Sequence, residues 1–356
     1  MKLEVIRAEI DEIDAAIQDL IHKRADLGRK VAELKRQQNN SQYFVPEREA
    51  QILRKVAERC DGTLSENSVV QIFREIISAT RNLEQPIKIA ILGPEGTFTQ
   101  AAAMQHFGHA FTAVFRPTID DVFSAVEVNQ AEYGVVPVEN STEGVVNSTL
   151  DCLIDSSLSL CGEIELKVHH SLLSLASRMP KIKKVLAHPQ ALAQCRKWLS
   201  RNLPDVELVP ASSNAEAVVK VLDSSHHAAI ASEATAKIYN LSTLATNIED
   251  QKGNTTRFLV IGKISTKSTG NDKTSILLSK QNRTGSLVNL LQPFAELKVN
   301  MSKIESRPSR KAMWDYVFFI DLLGHAEDES IVALFEILKE EALLFKHLGS
   351  YPQSAK

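Results

Sequence analysis

Apolar residues recur at Ile6, Ile10, Ile13, Ile17, Leu20, Leu27, Val31 and Leu34, in steps of four and three broken by one wider gap. That spacing predicts a single long helix with a narrow heptad seam. Arg24 fills the gap, in register with the seam. Arginine is seldom buried without a partner, so two readings stand: a register-setting polar residue in a coiled coil, or a seam that opens around a bound anion. Lys35 shares the face of Arg24, about 16 Å further along the axis. Asn39-Asn40-Ser41 breaks the pattern. A second helix is expected from Pro46, a good first-turn residue, and it carries Arg48-Glu49 ahead of Ile52, Leu53 and Val56. Asp61-Gly62 marks a turn. A third helix presents Val69, Ile72, Phe73, Ile76, Ile77, Thr80 and Leu83, with Thr80 and Glu84 one turn apart on one face. The first helix is too long for the other two to cover, which predicts a dimer that pairs long helices.

After Pro86 the period changes. Short apolar runs at 87–92, 133–138, 184–187, 206–211 and 228–231 each lead through a polar turn into a helical pattern. Strands alternating with helices predict a parallel sheet, or two small ones. The turns are Gly93-Pro94-Glu95-Gly96-Thr97-Phe98-Thr99, Glu139-Asn140-Ser141-Thr142-Glu143-Gly144, His188-Pro189-Gln190, Ser212-Ser213-Asn214 and Ser232-Glu233. Any one of them reads as ordinary capping. Together they line the carboxyl edge of a sheet with backbone N–H groups and helix dipoles, which suits a small polyanion. Gly93 and Gly96 lack both the dinucleotide fingerprint and the P-loop lysine, so a nucleotide site is rejected. Gly253-Asn254-Thr255-Thr256-Arg257-Phe258 then sets a weak hydroxyl acid, Thr256, beside a cation at the mouth of the apolar run 258–261. By itself it reads as a turn entering a strand. Tandem histidines at His169-His170 and His226-His227 point different ways on a strand or helix, so no metal is expected.

Residues 265–273 are rich in Ser, Thr, Gly and Lys and read as a linker. Beyond them a strand (274–279), a helix (285–297), two strands (299–305 and 314–321), a helix (329–344) and a strand (345–349) follow the βαββαβ order of a ferredoxin-like domain.

Composition narrows the class. With 44% hydrophobic residues, the chain can build two or three real cores, and the formal net charge is −3. Cations and anions nearly balance over the first 85 residues, so nucleic acid and anionic membrane are poor partners. Cys60, Cys152, Cys161 and Cys195 make no zinc or redox spacing, as in a reducing cytosol. The opening Met1-Lys2-Leu3-Glu4-Val5 contains no apolar h-region, and no stretch approaches a membrane span. A cytoplasmic location is expected.

The helical region resembles the all-helical chorismate mutase domain. Arg7, Arg24, Lys35, Arg48, Glu49, Thr80 and Glu84 match its active-site positions, and the resemblance implies that Arg7 is donated to the neighbouring protomer. The chemistry agrees. Guanidinium grips the carboxylates of a dianion bidentately. A pericyclic rearrangement needs only a compact pose and donors on the ether oxygen, here Lys35 and a protonated Glu84. Two departures stand: Val45 replaces an acid found in some members, and others carry Gln where Glu84 stands.

Gly93–98, Val135-Val136-Pro137-Val138-Glu139-Asn140-Ser141, His188-Pro189-Gln190 with Gln194, and Thr255–258 together resemble prephenate dehydratase, in the same order. The resemblance implies two α/β lobes like a periplasmic binding protein, one of them built from about 87–165 plus 246–264. It makes Thr256 the catalytic threonine and Arg257 a substrate-carboxylate ligand. Thr97, Asn140, Ser141, His170, His188 and Gln194 join the substrate site. The family often has Ser where Ala187 stands, which removes one hydrogen bond.

The last segment resembles the ACT regulatory domain, whose phenylalanine site uses two motifs matched here by Gly285-Ser286-Leu287-Val288 and Glu305-Ser306-Arg307-Pro308. The expected organisation is therefore multidomain: an all-α chorismate mutase domain over 1–85, an α/β dehydratase domain over 86–264, and an α+β ferredoxin-like ACT domain over 273–356. The implied activity is that of the bifunctional chorismate mutase–prephenate dehydratases, with chorismate and prephenate as substrates. L-phenylalanine is the allosteric inhibitor, no cofactor is used, and the assembly is a homodimer or a dimer of dimers. A dehydratase with a merely dimerising helical domain is disfavoured by the intact Arg24, Lys35, Arg48 and Glu49. A non-catalytic amino-acid sensor is disfavoured by Thr256.

Overall fold

The computed structural model describes residues 3–38, 44–281, 283–308 and 316–354. The expected break at Asn39-Asn40-Ser41 and the start of the strand expected at 314 lie outside them. The chain divides into two compact units, Met1–Lys88 with Phe107–Thr112, and Ile89–His106 with Ala113–Lys356.

The first unit holds α1 (Leu3–Gln37), α2 (Pro46–Glu58) and α3 (Glu66–Glu84). Pro46 opens α2, and Ser65 caps α3 by accepting from the Ser68 N–H. Burial is confined to the C-terminal part of α1. Ala32 is buried, and Gly28 lies so close to Thr80 of α3 that a Cβ would meet its methyl at 2.5 Å. The rest of the heptad seam is uncovered: Ile10, Ile13, Ile17, Leu20, Leu27, Val31 and Leu34 are all exposed.

In the second unit the elements run β1 (Lys88–Leu92), α4 (Phe98–Phe107), β2 (Thr112–Arg116), α5 (Ile119–Glu127), β3 (Tyr133–Asn140), β4 (Gly144–Val145), α6 (Asn147–Asp155) and β5 (Ser159–Lys167). There follow β6 (Ser171–Ser174), β7 (Lys184–Ala187), α7 (Pro189–Gln194), α8 (Arg196–Asn202), β8 (Glu207–Pro210), α9 (Asn214–Val221), β9 (His227–Ala231), α10 (Glu233–Ile238), β10 (Ser242–Ala245) and β11 (Thr255–Gly262). One lobe is built on the sheet β2-β1-β3-β11-β5, with β4 beside β3; the other on β10-β6-β9-β7-β8. Both sheets are mixed rather than parallel. β1 pairs with β3 in parallel, as do β7 with β8 and β9, whereas β11 runs antiparallel to β3 and β5, and β6 to β9 and β10. The reason is connectivity. The chain leaves the first lobe after β5 and returns in β11, so β11 enters its sheet from the opposite end, as β6 does in the second lobe.

The last elements are β12 (Asp272–Lys280), α11 (Ser286–Glu296), β13 (Met301–Pro308), β14 (Tyr316–Leu323), α12 (Glu329–Glu341) and β15 (Leu344–Pro352). They form the antiparallel sheet β13-β14-β12-β15. One face carries α11 and α12 over Ile276, Leu278, Ile320 and Leu322. Its other face joins the first lobe, where Leu277, Val317, Phe319, Leu348 and Tyr351 share a core with Val136, Val138, Leu160 and Leu259. β15 comes close to β5 at Gly349, where a Cβ would lie 2.2 Å from the Leu160 carbonyl oxygen. The expected linker is also packed. Thr266 is buried and donates to the Ser350 carbonyl, and the Asp272 carboxylate gathers Ser268, Thr269 and Gly270 into a turn.

Candidate functional site

In the helical unit, Arg24 and Lys35 of α1, Val45, Arg48 and Glu49 at the start of α2, and Thr80 and Glu84 of α3 line one cavity of about 140 Å³, together with Ile77 and Arg81. Arg24 Nη1 donates to Thr80 Oγ1 at 2.7 Å, and that hydroxyl donates to the Ile76 carbonyl at 2.7 Å. The seam is therefore interrupted at Arg24, which lines a cavity closed by α2 and α3. Burial raises the Glu84 pKa above the usual carboxylate value, with Lys35, Arg81 and Arg24 pulling the other way. Burial likewise raises that of Glu49, against Arg81. Arg7 does not line this cavity. It is exposed, roughly 25 Å along α1 from Arg24.

Arg81 was not singled out from the sequence. It is 4% exposed, pairs with Glu49 at 2.5 Å, donates to the Phe107 carbonyl at 2.6 Å and lies over the Phe44 ring. The available signal was its place one turn after Ile77 on the buried face of α3, the same kind of register that singled out Arg24.

The second site lies where β3, β11 and α7 meet. Thr256 is 9% exposed, and its Oγ1 receives Asn140 Nδ2 at 2.7 Å. Asn140 Oδ1 in turn accepts from the N–H groups of Thr142 and Glu143. Ser141 Oγ accepts from the Thr255 N–H at 3.0 Å. Gln194 Oε1 lies 2.8 Å from His170 Nε2, while Gln194 Nε2 donates to Glu143 at 3.4 Å. Burial lowers the His170 pKa despite Gln194 and Glu249, which favours the neutral ring. Thr256, Asn140, Ser141, Gln194 and His170 are thus brought together, with Asn254 between them, a residue not chosen beforehand. Two expected members have local engagements instead. The Thr97 hydroxyl donates to the Leu92 carbonyl and caps α4, and His188 caps α7 through Nδ1.

Arg257 stands apart from this group. Strand alternation turns it to the face opposite Thr256. There it pairs with Glu163 at 2.9 Å and Asp321 at 2.6 Å and donates to the Tyr351 hydroxyl at 3.0 Å. Lys273 also reaches Glu163, at 2.8 Å. Burial works against the guanidinium charge, but these acids outweigh it and hold the Arg257 pKa above its ordinary value. In this arrangement the guanidinium is engaged by Glu163 and Asp321.

Of the expected regulatory residues, Gly285 caps α11 at φ +79°, Ser286 accepts from the Arg283 N–H, and Leu287 and Val288 are exposed. On β13, Glu305 lines a small cavity against the first lobe with Arg257 and Asp321. Arg307 pairs with Asp151 at 2.8 Å, and Ser306 and Pro308 face outward.

Known proteins with this arrangement share its order. Residues 6–85 match the chorismate mutase type II family, 89–266 the prephenate dehydratase family and 274–340 the ACT domain family. A bifunctional chorismate mutase/prephenate dehydratase of Stutzerimonas stutzeri is 45% identical over 99% of this chain and 98% of its own length. That of Neisseria gonorrhoeae is 47% identical over 97% and 96%. The crystal structure of a prephenate dehydratase from Arthrobacter aurescens in complex with L-Phe superposes with a TM-score of 0.70 at 33% identity, covering 75% of this chain and 90% of that one. With full-length identity at this level and all three regions in the same order, the chain belongs to the bifunctional chorismate mutase/prephenate dehydratases.

Proposed function

We propose that this protein rearranges chorismate to prephenate in the helical cavity, then converts prephenate to phenylpyruvate in the cleft at Thr256, serving phenylalanine biosynthesis. In the first step Arg24, Arg48 and a partner protomer's Arg7 hold the two carboxylates, and Glu49 and Thr80 complete the pocket. Lys35 and protonated Glu84 donate to the ether oxygen as its bond breaks. The raised Glu84 pKa supports that protonation state, and the exposed seam of α1 supports a homodimer.

In the second step the Thr256 hydroxyl gives its proton to the ring hydroxyl of prephenate, which leaves as water, and Thr256 regains a proton from solvent. The ring carboxylate departs as carbon dioxide, and its bonding electrons complete the aromatic ring. One dianion and one proton yield the phenylpyruvate monoanion, water and carbon dioxide. Aromatisation drives the step, so a weak acid suffices. Asn140, Ser141, His170 and Gln194 bind and orient the substrate, with Thr97 and His188 at the lobe edges. Asn140 donating into a buried Thr256 is the observation that carries this reading. L-phenylalanine inhibits through Gly285, Ser286, Leu287 and Val288 with Glu305, Ser306, Arg307 and Pro308. The ion pairs that join Arg257 to Asp321 support mechanical coupling of that domain to β11. Four free cysteines fit a cytoplasmic setting. Adding chorismate to pure protein and following prephenate and phenylpyruvate separately tests the reading. Failure to turn over either acid would sink it.

A further inference from the structure

The hydrogen bonds behind Thr256 run in one direction, and unambiguous donors set that direction. The backbone N–H groups of Thr142 and Glu143 can only donate, so the Asn140 atom they reach is its carbonyl oxygen. The other Asn140 atom is therefore NH₂, with one proton for Thr256 Oγ1 at 2.7 Å and one for Asn254 Oδ1 at 2.8 Å. Asn254 must then donate through Nδ2, and its partner at 3.2 Å is Gln194 Oε1. Glu143 accepting from Gln194 Nε2 agrees with that orientation. With Gln194 Oε1 as acceptor, His170 Nε2 carries a proton, and Nδ1 is a bare, buried lone pair with no hydrogen-bond partner among the described residues. Thr256 sits at the accepting end of this chain. Its own proton is free for the cleft.

We propose that Asn254 is a positioning residue for the dehydratase step: accepting from Asn140 and donating to Gln194, it sets Thr256 as a proton donor and holds His170 in one tautomer. This rests on the dehydratase reading above. Asn254 is 6% exposed and adjoins Thr255-Thr256, and its side chain bridges the β3 and α7 parts of the site, alongside the Gln194–Glu143 hydrogen bond. Only a group that accepts at one atom and donates at the other fits between an NH₂ and a carbonyl oxygen. Amide does so at every pH. Carboxyl does so only when protonated.

That difference supplies the test. Prephenate turnover is measured across pH in the full-length protein for wild type, Asn254→Ala and Asn254→Asp, with mutase turnover and a cooperative melt as checks on folding. Asn254→Ala should lose about a hundredfold in kcat, the scale of a catalytic group left misplaced, and show no recovery with pH. Asn254→Asp should be as poor at neutral pH and recover toward wild type on acidification, as its carboxyl regains a proton. The titratable groups facing it are His170 and Glu143 through Gln194, with His169 and Glu249 behind His170. Their own titration is removed by dividing by the wild-type profile. A folded Asn254→Ala with wild-type kcat would overturn the proposal, as would Asn254→Asp failing to recover in acid. Should Asn254→Ala not fold, the Asp variant decides alone. Wild type inert toward prephenate would instead refute the proposed function.

Discussion

Arg257 Nη1 donates to Asp321 Oδ2 at 2.6 Å, tying the residue after Thr256 on β11 to β14 of the last domain. Glu163 and Lys273 complete a largely buried set of two cations and two anions. Removing one member of such a set costs about 3–5 kcal/mol, because a charge is left without its partner. Asp321→Ala is therefore predicted to lower stability by about 3 kcal/mol, read from chemical denaturation. The gentler Asp321→Asn keeps the shape and one acceptor for Arg257, while its NH₂ would have to donate to the Ser275 hydroxyl that now donates to Asp321. It should hold prephenate turnover within a few-fold while weakening inhibition by phenylalanine. An unchanged inhibition curve would break the proposed coupling.

The two chemistries should separate by mutation. Thr256→Ala is predicted to abolish phenylpyruvate formation while prephenate accumulates from chorismate. Lys35→Ala should do the reverse and spare turnover of added prephenate. The cavity around Lys35 and the group around Thr256 share no residue. Loss of both activities from either single change, in a protein still folded, contradicts two independent sites.

Glu84 gives the mutase a pH dependence. Its pKa is raised by burial, and the donor form is the protonated one. Mutase turnover should be full below that pKa and fall as pH rises through it. Glutamine donates at every pH, so Glu84→Gln is expected to flatten the falling limb and keep activity at high pH. Identical profiles for the two proteins would remove Glu84 from the reaction.

The α1 seam predicts assembly. Ile17 and Leu20 are 48% and 64% exposed in the single chain, so Ile17→Glu with Leu20→Glu should fold with little loss. Sedimentation should then shift from dimer toward monomer, and mutase turnover should drop as the partner's Arg7 is lost from the site. A wild-type chain that sediments as a monomer at working concentration rules this out.

Val288 and Ser306 are both exposed. Val288→Asp and Ser306→Ala are expected to change stability by no more than about 0.5 kcal/mol. Each should weaken phenylalanine binding by calorimetry and relieve inhibition with activity retained. Unaltered affinity in both would move the effector site elsewhere.

Periodicity alone determined the helices. Heptad spacing showed the seam, and the arginine interrupting it marked the opening that Thr80 and Glu84 complete from α3. Local motifs likewise put Thr256 and Asn140 at strand ends and Gln194 on a helix, because capping and strand entry are decided by neighbours in sequence; that they belong to one site was what the family resemblance implied. Only the tertiary structure decided strand direction, since the two crossings between lobes reverse β6 and β11 without any local signal. It also decided the fate of Arg257. Alternation along β11 put that side chain opposite Thr256, but the acids that claim it, Glu163 and Asp321, come from distant strands. Arg81 and Asn254 were hidden for the same reason. Their roles lie in which donor meets which acceptor across elements far apart in the chain, and residue type and spacing do not record that.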